Sequence, residues 1–539
     1  MDFKGGSLSN GTLNGYKLNI KSIIDNILYS VIIKFEESNT LKASYWNNDI
    51  EDVFNKYLQI NKYKLEFPYN KEYLIKDSIV IFNKNVEIDF NYSIFKVINN
   101  SSFTPKYIDK NPIKYEIIYV INSNIKFNNL YIDGNKNNNK DAFSAIVLKS
   151  TNTQFNNICF KDFSYHCLII GFSNNDLDIK TKIHRFNNIE FYNTGNLLGY
   201  SDVYSFCKDI NNINLLTYWS NIYSTRDDIT NRGQIFYFSG GNHVIDNCIS
   251  YNAPYVIDPR KGKCTLTNSI ANRCTGIHIQ TNPDEDALPP NVNIINSQFY
   301  IEINPNINPN DYPIWISSCS SFNMENVLIK VNKVIDLKFN IGFMVIRNDE
   351  KNTLNNVNIS NCIFDSTNND KQNNTLISLE GLLNGIISIN NNIFKLKEDK
   401  IGYFTVLRFH KRNNSIFNIL NNIIDDKIIH KYVELDKSAS VENLIIKRPN
   451  KKYGNALPAY SEYETEYYYN DSDEVLYFWD KTKWNKIKYD IDKKQQGTTQ
   501  QRPADVKAGF YYFDTTLNKP IWKKDDTSED WVDATGAKV

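Results

Sequence analysis

Four side chains near the middle of the chain have the types needed for acid–base chemistry on a polymeric substrate: Tyr237, Asp258, Arg260 and His278. A carboxylate that orients an imidazole forms a general acid–base pair. A tyrosine or arginine beside it serves as base or charge stabiliser in lyase chemistry. Each lies in a short stretch that alternates apolar and polar residues: "IFYFS" (235–239), "VIDPR" (256–260) and "GIHIQ" (276–280). Further along, "PIWIS" (313–317) brings Trp315, "MVIRN" (344–348) Arg347, "LISLEG" (376–381) Glu380, and "VLRFH" (406–410) Arg408 and His410. Alternate residues of a strand share one face, so these stretches predict a common outward stripe. An ordinary solvated face would carry Lys, Asn, Thr and Ser. This one carries aromatics, two histidines, three arginines and two carboxylates.

Aromatic rings flanked by charged hydrogen-bonding groups suit a sugar chain, whose C–H faces stack and whose hydroxyls need partners. On this reading Asp258, His278, Arg260 and Tyr237 are the candidate catalytic residues, and Gln280, Trp315, Arg347, Glu380, Arg408 and His410 bind the substrate. Asp258 and His278 are expected one rung apart, about 5 Å between backbones. A two-carboxylate glycosidase needs its carboxyl groups about 5–9.5 Å apart. Glu380 is four rungs from Asp258, roughly 19 Å, and is excluded as its mate. A second acid would come from a turn. "STRDDITNRG" (224–233) offers Asp227 and Asp228, with Asp228 the candidate, and "NPDEDALPP" (282–290) offers Asp284, Glu285 and Asp286. The competing explanation is that acidic turn residues are turn-formers and that the stripe is plain surface.

The elements that would hold such a stripe are visible as a repeat. "FNNLYIDGN" (127–135), "FNNICFKDF" (155–163) and "FNNIEFYNT" (186–194) share Phe-Asn-Asn followed by apolar-x-apolar. Aligned on Asn before an apolar-x-apolar stretch, the anchor recurs at Asn129, Asn157, Asn188, Asn221, Asn247, Asn268, Asn296, Asn326, Asn361, Asn391, Asn421 and Asn443, spaced 21–35 residues apart. The flanking periodicity is that of strands. One coil of short strands per repeat, with turns of variable length, predicts an all-β right-handed parallel β-helix. The repeated Asn is expected at a corner in left-handed geometry, its amide bonding the Asn of the next coil. A leucine-rich horseshoe would need a regular Leu-x-Leu period, and a propeller a period near 40 residues with blade signatures. The chain has neither.

Composition narrows the classes further. The chain balances 61 basic against 61 acidic side chains, without the basic stripe of a nucleic-acid binder. It has no apolar run long enough to span a bilayer and no charged N-terminus leading into an apolar segment, so neither membrane insertion nor a signal peptide is expected. Its eight cysteines lack CxxC spacing and are expected to be free and packed. His166, His184, His243 and His430 have no ligand-like spacing, so no metal or cofactor is expected. "FSGGN" (238–242) lacks the Lys-Ser/Thr of a phosphate loop.

Two stretches resemble known families. The region 48–98 reads as a short amphipathic helix followed by strands, and resembles the N-terminal cap of pectate-lyase-like β-helices, in which a helix plugs the open coil. "GTTQQRP" (497–503) with "YFDTTLNKPIW" and "WVDATG" closely resembles a module recurring at the C-termini of bacteriophage tail-fibre and tailspike proteins. The resemblance implies a homotrimer in the virion tail, alongside other tail proteins, that binds and degrades a host cell-surface polysaccharide. The expected domains are an N-terminal segment (1–44), the capped β-helix (45–450), a Tyr/Trp-rich β module (451–496) and the tail-fibre-type module (497–539). The alternatives are a non-catalytic structural or receptor-binding fibre and a secreted bacterial polysaccharide lyase or hydrolase.

Overall fold

The computed structural model describes most strands and corners between residues 63 and 447, short segments before them, and parts of 453–539. Outside the described residues lie, among others, 1–11, 15–31, 195–200, 208–213, 227–232, 281–288, 304–312, 335–343, 349–355, 367–374, 396–403, 410–412 and 455–466. The chain forms two compact units, Met1–Pro449 and Asn450–Val539.

The first unit is a right-handed parallel β-helix with three faces. The strands Val86–Val97, Ile125–Asp133, Asn152–Lys161, Thr181–Tyr192 and Asn214–Thr225 each bend once, so that each contributes to a first and then a second face. The third face stacks Ile79–Ile81, Glu116–Val120, Ser144–Leu148, Leu168–Phe172 and Val203–Cys207 in parallel register. It continues through the starts of Gln234–Tyr251 and Tyr255–Thr267. Ile277–Gln280, Ile314–Ser317, Met344–Asn348, Thr375–Gly381, Phe404–Phe409 and Ile429–Leu435 then form one parallel sheet.

Asparagine makes the bend between the first two faces. Asn129, Asn157, Asn188, Asn221, Asn247, Asn268, Asn296, Asn326, Asn361, Asn391 and Asn421 all have φ between 51° and 58°, the left-handed region that Asn tolerates and most side chains do not. Their amides bond along the axis: Asn188 donates to Asn157 at 2.8 Å and Asn157 to Asn129 at 2.7 Å. Asn247 donates to Asn221 at 2.9 Å. Asn443 departs from the expected pattern. It pairs with Ile416 inside a first-face strand and is not a corner.

Inside the coil, Phe127, Phe155, Phe186 and Trp219 lie in register. Phe127 and Phe155 stack at 4.9 Å, Phe155 meets Phe186 at 5.5 Å, and Phe186 lies 3.9 Å from Trp219. The Phe of the repeated motif therefore builds an aromatic column through the core. Several polar groups inside are tied. Trp219 Nε1 donates to Thr217 Oγ1 at 2.8 Å, and His243 Nε2 lies 2.7 Å from the Gly240 carbonyl. A carbonyl only accepts, so Nε2 carries the proton and Thr217 donates to His243 Nδ1 at 2.7 Å. Asp202 and Arg226 form a fully buried ion pair at 3.3 Å, with Thr194 donating to Asp202 at 2.7 Å.

At the N-terminal end a helical turn, Ile50–Asp52, buries Ile50, and Phe54 just after it is also buried in the core. Glu51 accepts from the backbone amides of Lys76 and Asp77. Thr40–Lys42 already pairs with Lys64–Glu66 as a rung of the first face. In the second unit, Tyr467–Asn470, Val475–Trp479 and Trp484–Lys486 form an antiparallel sheet. Tyr511–Asp514, Lys519–Lys523 and Trp531–Val532 form another, over a core of Val506, Tyr512, Ile521 and Trp531. Buried Asp514 is held by Arg502, whose Nε donates at 2.8 Å, and by Thr499 at 2.8 Å. Its burial alone would raise the carboxyl, but the Leu517 amide, Thr499 and Arg502 hold it below the usual range.

Candidate functional site

Strand alternation fixes which residues of the third face point outward, and parallel pairing fixes their neighbours along the axis. Tyr204 is in register with Tyr237, and Tyr237 with Asp258. The Tyr204 and Tyr237 rings lie 5.4 Å apart. Between Pro259 and Lys261 the register with the preceding coil slips, which leaves Arg260 as the extra residue of a bulge. So re-aimed, the Arg260 guanidinium sits 5.6 Å over the Tyr237 ring and folds back onto Asp258. Nη2 donates to Oδ2 at 2.9 Å, and Nε stands 2.8 Å from Oδ1 at ion-pair distance without hydrogen-bond alignment. Gln234 Nε2 donates to Oδ2 at 2.9 Å. Glycine makes the bulge possible: a Cβ on Gly262 would lie 2.2 Å from the Gly241 carbonyl oxygen, and both residues have positive φ.

His278 stands beyond this cluster. Its ring packs on Tyr255 at 5.3 Å and meets Trp315 edge-on at 6.1 Å. The expected Asp258–His278 pair is not made: among the described residues the carboxylate bonds Arg260 and Gln234. The reason is the Arg260 bulge, which places a guanidinium where the imidazole was expected. Burial, aided by the Arg260 charge, lowers His278 to about 4, so the imidazole is neutral at pH 7. Burial raises the Asp258 carboxyl while Arg260 opposes the rise. Burial likewise raises the Tyr237 phenol, which stays protonated. The site is thus an aromatic row with a neutralised ion pair, a neutral imidazole and a phenol. It is built to stack and to hydrogen-bond, and the proton-transfer relay read from the sequence is not assembled in it.

The remaining candidate residues fall as follows. Trp315 pairs with His278 across adjacent rungs, and Gln280, Ser317, Arg347 and Glu380 form one register row. Arg347 is exposed and Glu380 half-buried. Arg408 is in register with Ser378. The side chains of Gln280 and Arg408, all of His410, and the acids Asp227, Asp228, Asp284, Glu285 and Asp286 lie outside the described residues. Tyr204, Gln234 and Tyr255 belong to the site and were not singled out from the sequence. Carrying the strand alignment one rung upstream to "VYSFC" (203–207) would have found Tyr204. Nothing local marks Gln234 or Tyr255.

Among the described residues no group of three or more His, Cys, Asp or Glu is placed to hold a metal ion. No helix among them is long and apolar enough to cross a membrane. The seven described cysteines are free, six of them buried. No family model matches the chain, and no curated protein matches it. Among solved structures, the chain is similar to tailspike protein 3 of bacteriophage CBA120, at 12% identity and a TM-score of 0.34. The match covers 94% of this chain and 64% of that one, so the chain spans just under two thirds of that tailspike's length.

Proposed function

We propose that the protein binds a surface polysaccharide along the third face of its β-helix, as a tailspike or tail-fibre component of a phage virion. The observation that carries this reading is a pair of aromatic groups on this face, Tyr204 and Tyr237 with Arg260 over it, and Tyr255, His278 and Trp315 beyond them. These rings offer stacking faces at rung spacing, with hydrogen-bonding groups between them. The resemblance of 497–539 to tail-fibre modules supports the virion setting, a homotrimer and attachment through other tail proteins. Binding is favoured over cleavage because Asp258 is already engaged by two partners. Degradation of the bound glycan would need acids supplied from 227–232 or 281–288. The test is incubation with capsular and surface glycans, following binding, product size and the ultraviolet absorbance of a new unsaturated sugar end. Binding that Trp315→Ala abolishes is expected. A protein that binds none of them overturns the reading, and shortened chains would make the protein a depolymerase.

A further inference from the structure

A separate concavity lies on the second face, in the first coils of the helix. It encloses about 650 Å³, within the range of small-ligand pockets, and is walled by Tyr92, Tyr131, Cys159, Lys161, Glu190 and Tyr192. Register builds it: Tyr131, Cys159 and Glu190 form one outward row, and Asp133, Lys161 and Tyr192 the row beside it. The tyrosines continue along the axis, with Tyr192 5.7 Å from Tyr223 and Tyr223 6.0 Å from Tyr251. The corner asparagines Asn157 and Asn188 also line it. None of these residues belongs to the third-face row.

We propose that this groove is a second saccharide-binding site, which holds a short pyranose segment. Three tyrosine rings give the flat apolar surfaces that sugar C–H faces cover. The Tyr192 hydroxyl donates to Glu190, fixing a half-buried carboxylate as an acceptor for sugar hydroxyls, while Lys161 and the corner amides supply donors. Burial raises Glu190 above the ordinary carboxylate range, as expected of an acceptor recessed in the groove wall. Cys159 forms part of the wall, and burial pushes its thiol far above the usual range, so it packs against the ligand without reacting. A flat protein partner would not reach Glu190 in the concavity, and a polyanion would meet Glu190 with Lys161 as the one cation among the described lining residues, itself 3.7 Å from Asp162. The ligand class rests on the glycan-binding reading; the place rests on the second face alone.

The test is calorimetric titration of the whole chain with blocked di- to tetrasaccharides of glucose, galactose, rhamnose and N-acetylglucosamine. At least one is expected to fill a site that Tyr131→Ala and Tyr192→Ala weaken roughly ten-fold or more, consistent with the loss of about 1.4 kcal/mol per ten-fold change. Cys159→Trp, which puts an indole into the groove, should abolish the same site. Tyr192→Phe keeps the ring, guards against misfolding as the cause, and should weaken binding only a few-fold. Trp315→Ala should leave this site intact. Saccharide binding that Trp315→Ala removes and the second-face variants leave untouched overturns this proposal and keeps the third-face reading. Two binding events, one lost to the second-face variants and the other to Trp315→Ala, keep both readings, while a second-face event alone keeps this proposal and overturns that reading. Absence of binding by every saccharide overturns this one.

Discussion

Replacing Asn221 by Gly and, separately, by Ala separates the two roles of the corner asparagine. Its amide donates to Asn187 Oδ1 at 2.9 Å and its own oxygen accepts from Asn247 at 2.9 Å. Two side-chain hydrogen bonds contribute about 1–3 kcal/mol together, and stranding the buried Asn247 amide adds about 1 kcal/mol. Both variants should therefore lose about 2–4 kcal/mol locally. They differ in backbone. Ala at φ near 56° carries about 1–2 kcal/mol of left-handed strain, while Gly carries none but costs about 0.5–1 kcal/mol in unfolded-chain entropy. Ala should come out worse by roughly 0.5–1 kcal/mol. Coils open locally, so native-state hydrogen exchange is the assay. Amides of Asn214–Thr225 and Gln234–Tyr251 should exchange roughly 30- to 1,000-fold faster than in wild type, with Ala a further roughly three-fold ahead of Gly. An Ala variant that exchanges no faster than the Gly variant would refute the corner argument.

The other predictions concern buried charge and titration. Asp202→Ala strands the fully buried Arg226 guanidinium and should cost about 3–5 kcal/mol, most of it recovered when Arg226→Met is added; denaturant unfolding of the single and double variants decides. Arg260→Gln removes the charge that helps hold His278 near 4, so an imidazole NMR titration should show that pKa rise; an unchanged value would mean burial acts alone. Burial lowers His184 to about 3 and His166 and His243 to about 4. Their folded values lie below the ordinary 6.5 or so, so the folded state binds fewer protons. Their contribution is full above pH about 6.5 and is lost as pH falls through about 4. Melting temperature should drop across that window, and His243→Gln should drop less than wild type. Equal drops would contradict the assignment.

Much of the fold was legible because a parallel coil repeats one constraint. Eleven of the twelve anchor asparagines occupy the expected corner, since only a few residue types tolerate φ near 55° at a turn that recurs every coil. Asn443 failed because "ENLIIK" (442–447) satisfies the same pattern in mid-strand, and only pairing with Ile416 sets its position. The outward stripe was legible for the same reason as the coil: a period of two leaves no choice of face, and Tyr237, His278 and Trp315 lie on the predicted surface, while Asp258 is buried in it. The chemistry within the stripe was not. Arg260 belongs to a bulge, and an inserted residue leaves no mark on apolar alternation until the neighbouring coil is paired with it. The Asp202–Arg226 pair and the second-face groove join residues from different coils, 24 positions apart for the former, with no local motif to announce either.

The corner ladder also bears on how such a chain changes length over generations. The corner amides of Asn157 and Asn188 reach the coil before them, and the core ring of Phe155 meets that of Phe127 one rung away. Duplicating one whole coil of about 30 residues would satisfy every bond at both new junctions and displace everything beyond it by about 4.8 Å along the axis. Deleting one would do the reverse. The distance between two surface features is therefore adjustable in whole-coil steps, without any substitution in either feature. A lineage facing a polymer of altered repeat length could follow it by recombination between coils, with point mutation left to tune each feature in place.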